Sequence, residues 1–382
     1  MKSVLLCLLA AGVASVGDAQ APVTRDSAGV RIVENGSRAK APEVFKLGSS
    51  AWLDVGGLET DPDVEFNPSQ GYLRGAFLSD GGLAVIDVVR LHLFDKSGKR
   101  LKIVGRQGKG PEEFTYITSI CRTRRDTLVI SDQNARRVAV RAGDGTAVRT
   151  FLQDTLGSPS FSSCLDDGTI VLSKMNSSKP GSPSTRRLTR VRLDGSIVNV
   201  IGEFDAGTFD MVTQSSPTVA AQGQSIYWGD PRSSEVRIYN AAGKLTRIVR
   251  SADVGETITN EEVERRFRST IPMNTPPAEV TARMDRMRSM PHASKWPTYL
   301  QVLVDPRGRL WLQDYVKQFP SADGWTQFDE QGRLVGRLVI PAPPKDQRAM
   351  QVISFGTNEV LVRRTDADGG AHLTVYPLVR NR

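Results

Sequence analysis

The chain has 382 residues, with 50 Lys and Arg against 42 Asp and Glu and a formal charge of +8. That length exceeds what most single compact cores hold, but a radial repeat array can hold it as one domain. The basic balance allows anionic partners such as acidic glycans, lipid headgroups or nucleic acid, although a generally basic surface with no specific target is its commoner meaning. Its arginines are scattered, however, and not gathered with interleaved aromatics, so no nucleic-acid partner is expected.

Lys2 supplies a short positive start, and Val4 to Val13 forms an apolar run with Leu5, Leu6, Leu8 and Leu9. Gly17-Asp18-Ala19 then places small residues where a signal peptidase reads. The run falls short of the roughly 20 residues that a membrane helix needs. Residues 1–19 are therefore expected to be a signal peptide cleaved after Ala19, and no later stretch is long and apolar enough to span a bilayer. The remaining 20–382 is expected to be an exported monomer, periplasmic or extracellular. Export leaves Cys121 and Cys164 in an oxidising compartment. They occupy near-equivalent strand positions in adjacent repeats. A disulfide is one outcome; two free buried cysteines are the expected one, and no metal-site spacing is present.

Gly29–Glu34 alternates like a half-buried strand, and Phe45–Val55 holds a further one. Residues 56–70 are rich in Gly, Pro, Asp and Asn and read as loop. From Tyr72 one unit recurs. It has an inner strand closed by a Gly turn, a β-branched second strand often ending in Asp, and two more strands joined by a tight turn. The first copy runs Gly75–Leu78, Leu83–Asp87, Leu91–Phe94 and Leu101–Val104. Second strands start at Leu83, Leu128, Ile170, Ile226, Leu310 and Val360, mostly about 42 to 56 residues apart, the size of a four-stranded propeller blade. Between the first two copies lies Gly105-Arg106-Gln107-Gly108-Lys109-Gly110-Pro111-Glu112-Glu113-Phe114. Its glycines permit positive φ, its proline bars a central strand, and Phe114 is placed to drop into a core.

The long gap before Leu310 holds an insertion over 251–297 of helical character. Thr259-Asn260-Glu261-Glu262 has the pattern of a capping box, and Thr275-Pro276-Pro277 opens a second helix with proline in its first turn. Met284, Met287 and Met290 fall near one face of that helix, a stripe more often used for core packing than for a ligand. The last copy lacks a fourth strand, which Gly29–Glu34 or Phe45–Val55 is expected to supply. Without it the ring would have open sheet edges.

The stretch Leu128-Val129-Ile130-Ser131-Asp132-Gln133-Asn134-Ala135-Arg136-Arg137-Val138-Ala139-Val140 resembles an NHL repeat, with a hydrophobic strand, an Asp, then Asn and Arg opening the next strand. Gly105–Phe114 and Gly308-Arg309-Leu310-Trp311 are similar to segments of bacterial secreted six-bladed β-propellers of the NHL-repeat and TolB-like superfamily. The resemblance spans nearly all of 20–382. It implies a six-bladed β-propeller, so the expected fold, with the residue pattern above, is an all-β, six-bladed β-propeller closed by an N-terminal strand, with a helical insertion between blades four and five. It implies little about activity. The wider superfamily includes calcium-dependent lactonases, but a fold does not carry its chemistry along.

Antiparallel strands put Asp87, Asp132, Asp230, Asp314, the Gly105–Phe114 link and the insertion on one face, which is taken as the binding face. The commoner role of a strand-end Asp is to cap the following turn. The other is to join a backbone carbonyl in holding Ca²⁺ in the channel. Of three histidines, His292 on the insertion is the one placed to face a ligand; His92 and His372 lie within strands. No catalytic set is assigned, since there is no nucleophile elbow, HExxH helix or phosphate loop. The expected function is an exported binding module for an envelope protein or an anionic saccharide. The alternative is a metal-dependent lactonase or esterase with channel carboxylates.

Overall fold

The computed structural model describes residues 21–57, 73–153, 160–176, 183–207, 210, 212–317, 322–342 and 350–381. The expected signal peptide and most of the loop read over 56–70 lie outside them.

Among the described residues, apart from two helices and one short 3-10 turn, the regular structure is β-sheet in a propeller-like arrangement. The first four-stranded sheet runs in sequence order through Arg74–Phe77, Leu83–Ile86, Leu91–Phe94 and Arg100–Val104, all antiparallel. The second repeats it with Ile117–Arg122, Leu128–Asp132, Arg137–Arg141 and Ala147–Leu152. The third comprises Ser160–Cys164, Ile170–Asn176, Ser184–Val191 and Ile197–Gly207. Thr218–Gln222, Ser225–Gly229, Glu235–Asn240 and Leu245–Ser251 form the next, which is widened by Val30–Asn35 and Val23–Ser27. A nine-stranded sheet takes the remainder. Tyr299–Val304, Leu310–Asp314, Asp323–Phe328 and Leu334–Ile340 form one half, and Gln351–Phe355, Glu359–Thr365 and Ala371–Arg380 the other, with Glu43–Leu47 between them and Leu53–Gly56 as the ninth strand on Ala371–Arg380.

Burial explains why the middle strands read as unbroken apolar runs. Leu83–Ile86 and Leu91–Phe94 are buried along their whole length, whereas the outer strand Ala147–Leu152 is almost wholly exposed. A middle strand is covered on both faces by neighbouring sheets, so every position is apolar or paired. Separate cores fill the seams. Ile86, Leu91, Phe114, Ile117 and Leu128 join the first two sheets. Val129, Val138, Ile170 and Leu172 join the second and third. Leu361, Leu373 and Val375 from the end of the chain share a cluster with Leu83, Val85 and Phe94 of the first sheet.

The two candidate N-terminal strands go to different places. Val30–Asn35 pairs in parallel with Leu245–Ser251, which widens the fourth sheet. Leu53–Gly56 pairs antiparallel with Ala371–Arg380, setting Asp54 opposite Thr374.

The Gly105–Phe114 link folds back on itself. Phe114 N–H donates to the Arg106 carbonyl at 2.8 Å, and Gly108 N–H to the Phe114 carbonyl at 3.0 Å. Gly105 has φ +94°, and a Cβ there would lie 2.6 Å from the Phe114 ring, so both dihedral and space require glycine. Phe114 is 1% exposed, with the Arg137 and Arg141 guanidiniums 5.7 and 5.4 Å from its ring centre.

One expectation is corrected. Cys121 and Cys164 are not free thiols; they form a disulfide. They sit on the first strands of adjacent sheets with Cα atoms 5.8 Å apart, within bonding reach.

Candidate functional site

The insertion consists of Asn260–Ser269 (α1) and Pro277–Arg288 (α2). The capping box is formed: Glu262 N–H donates to Thr259 Oγ1, and Thr259 N–H donates back to Glu262 Oε2. Pro277 occupies the first turn of α2, where its missing N–H costs nothing. Met284 and Met287 are buried with Val212, Val263, Phe267 and Trp296, whereas Met290 is exposed. The stripe is therefore packing for two of its three members. The Tyr315 hydroxyl donates to the Thr213 carbonyl at 2.8 Å, and burial pushes its pKa up to about 12. These contacts seat the helices on loops that precede and follow the strands of neighbouring sheets.

Two clefts border this seat. The first, about 220 Å³, is lined by Asp230, Arg232, Ser215, Ser216, Pro291 and His292, among others. Asp210 ties its walls together. It accepts from Val212 N–H at 2.8 Å, from the Thr213 hydroxyl at 2.8 Å, and from Ala293 N–H of the insertion's tail at 3.2 Å. Asp230 accepts from Arg232 through its backbone N–H and its guanidinium. That carboxylate, first among several causes, raises the Arg232 pKa and keeps the group charged. The Ser215 and Ser216 hydroxyls and this ion pair give the cleft both donors and acceptors.

The second cleft, about 260 Å³, is lined by Arg38, Asp253, Trp296, Asp314, Lys317 and Arg337, among others. Arg38 is 3% exposed; its Nε donates to Asp253 at 2.9 Å, and its Nη1 lies 3.6 Å from Asp314. Arg337 also donates to Asp314. Burial pushes the Asp253 carboxyl up, but Arg38 and Ser37 outweigh it and hold the group below its ordinary value. Lys317 Nζ lies 5.6 Å from the Trp296 ring centre, a cation–π contact.

The five residues singled out from sequence thus separate. Asp230 and His292 share the first cleft, and Asp314 lines the second. Asp87 accepts from the backbone of Val89 and Arg90 and from the Arg90 side chain, with His92 Nε2 3.1 Å away. Asp132 is fully buried and accepts from Thr115, Tyr116 and Ala135. In both, burial pushes the carboxyl up and hydrogen bonds more than reverse it, so the pKa falls. Both line neither cleft. Among the described residues no group of three or more His, Cys, Asp or Glu is placed to hold a metal ion.

Arg38, Asp253 and Asp210 carried no sequence signal. Arg38 and Asp253 are 215 residues apart, and neither sits in a motif.

No protein-family model matches the chain, and no curated protein matches it. Solved structures do. A Bacteroides fragilis protein assigned as exported shares 12% identity over 92% of this chain and 100% of its own, with a TM-score of 0.56. A DUF4221 family member from Bacteroides vulgatus shares 11% over 89% of this chain and 99% of its own, with a TM-score of 0.53. The calcium-binding protein regucalcin from Agrobacterium tumefaciens shares 12% over 89% of this chain and 97% of its own, with a TM-score of 0.39. At these identities the likeness defines a class by fold: a nearly all-β protein of propeller type. Among the described residues no helix is long and apolar enough to cross a membrane.

Proposed function

We propose that this chain is an exported six-bladed β-propeller of NHL-like type that binds an envelope protein or an anionic saccharide at its insertion-bearing face. The six-blade count follows from treating the nine-stranded sheet as two blades bridged by Glu43–Leu47. Leu53–Gly56 then serves as the outer strand that closes the last blade. The apolar leader and the likeness to an assigned exported protein support export.

The observation that carries the binding reading is the first cleft. It lies at the seam between an added helical element and the sheet body, and it gathers Asp230, Arg232, Ser215 and His292 from three separate stretches. Ligand sites favour such seams, where a few polar groups converge on a concavity.

The test is a photo-crosslinking amino acid at position 292, expressed in the native host, with a matched probe at Lys96 as control. A defined adduct at 292 that is lost on Arg232→Glu is expected. Absence of any adduct, or the same adducts from both positions, would sink the reading. Lactone or ester turnover that is lost on chelation and restored by Ca²⁺ would replace it with hydrolysis.

A further inference from the structure

A third cleft lies on the opposite face. Within each sheet the turns joining first to second and third to fourth strands emerge at one end, and the links between sheets emerge at the other. The insertion is such a link. The turn over 123–127 and the turns at 165–169 and 192–196 belong to the other end. Together they wall a cleft of about 810 Å³, the largest of the three, within the size range of small-ligand sites.

Its chemistry is specific. Arg124, Arg125 and Arg192 line it and are exposed. Among the described residues Arg124 and Arg125 have no hydrogen-bond or ion-pair partner, and Arg192 reaches Ser196 Oγ only at 3.5 Å. Asp166 is likewise exposed in the wall. Asp167 is instead engaged by Arg190.

These groups stand on a braced frame. Asp126, in the same turn as Arg124 and Arg125, accepts from Ser79 N–H of the preceding sheet at 3.1 Å and from Arg122 at 2.7 Å. Two residues before Thr123, Cys121 is bonded to Cys164, which lies two residues before Asp166. The disulfide therefore clamps the two walls beneath the cleft. A braced backbone carrying unengaged guanidiniums loses less entropy on binding than a mobile loop would.

We propose that this cleft binds an oligosaccharide with spaced carboxylates, a uronate chain, with Arg124, Arg125 and Arg192 on the carboxylates and Asp166 accepting from sugar hydroxyls. Guanidiniums match carboxylates in bidentate geometry. The interspersed Asp166 repels a dense polyanion or a uniformly anionic membrane, but suits a ligand whose charges are separated by hydroxyls. The proposal goes beyond the function proposed above. It concerns the other face and stands if that reading fails.

The test uses the full chain and titration calorimetry with tetragalacturonate, its neutral methyl ester, and phosphatidylglycerol vesicles. The uronate is expected to bind, the ester on the order of tenfold or more weaker, and added salt to weaken the uronate. Arg124→Ala/Arg125→Ala/Arg192→Ala should abolish binding with a nearly unchanged melting temperature, since Arg192 gives up only a 3.5 Å contact within its own exposed turn. The lysine triple variant at the same positions should retain a reduced affinity. Lys40→Ala/Lys109→Ala/Lys295→Ala, which removes equal charge from exposed sites elsewhere, should bind within about twofold of the parent. The proposal is overturned by no uronate binding, by equal binding in the alanine triple, or by vesicles binding where the uronate does not.

Discussion

His372 Nδ1 lies 2.9 Å from Asp54 Oδ1, which joins the C-terminal strand Ala371–Arg380 to the N-terminal strand Leu53–Gly56. The other ring nitrogen lies 3.0 Å from Asp366. Arg364 donates to Asp54, and the Thr374 hydroxyl does so at 3.1 Å. The contact spans 318 residues and ties the two ends of the chain within one sheet.

This latch sets a pH dependence. The hydrogen bond to Asp54 raises the His372 pKa against the opposing effect of burial. Its contribution is therefore complete below the ordinary histidine pKa and is lost as pH rises through the elevated folded value. Burial pushes the Asp54 carboxyl up, but His372 and Arg364 outweigh it, and His372 likewise lowers the Asp366 pKa. Those contributions are complete above the ordinary carboxylate range and are lost as pH falls through the depressed values. His372→Gln should cost about 1–3 kcal/mol near pH 5–6 and less above about pH 8. Urea midpoints of both proteins across pH provide the check, and a pH-independent gap would contradict the latch.

Reducing the disulfide, or making Cys121→Ser/Cys164→Ser, should lower stability by about 2–4 kcal/mol, because a loop of 43 residues is released in the unfolded chain. Denaturant titration with and without reductant measures it. Identical midpoints would mean that the bond adds nothing to stability.

Two glycines separate dihedral strain from crowding. Gly168 has φ +82° with nothing within 4 Å of the point an added methyl would occupy, so Gly168→Ala should cost about 1 kcal/mol. Gly105 has φ +94° and the Phe114 ring 2.6 Å from that point, so Gly105→Ala should cost at least about 2 kcal/mol. Thermal melts of the pair test the order; the reverse order would refute the packing given for Phe114.

Within the insertion, Met284→Ala should cost about 2–5 kcal/mol of local stability, because Met284 is 2% exposed in an apolar cluster. Met290→Ala, at 37% exposure, should change little. Hydrogen exchange over residues 259–297 reads both. Equal protection in the two variants would mean that the helices do not depend on this core.

What could be read in sequence is what short-range physics settles. Unbroken apolar runs such as Leu83–Ile86, Gly-bearing turns, the Thr259 capping box and the Pro277 helix start all depend on neighbours a few residues away. The strand-end aspartates were visible for the same reason, since Asp87 is held by Val89, Arg90 and His92. Tertiary structure alone decided the pairing of Cys121 with Cys164, the parting of Val30–Asn35 from Leu53–Gly56, and which aspartates border a cleft. Arg38 meets Asp253 because Val30–Asn35 pairs with Leu245–Ser251, it approaches Asp314 from a neighbouring sheet, and His292 borders the same cleft as Asp230 through the tail of the insertion. Local pattern sets which strand forms, whereas the edge it joins and the cleft it borders follow from how many sheets pack and where the chain ends fall between them.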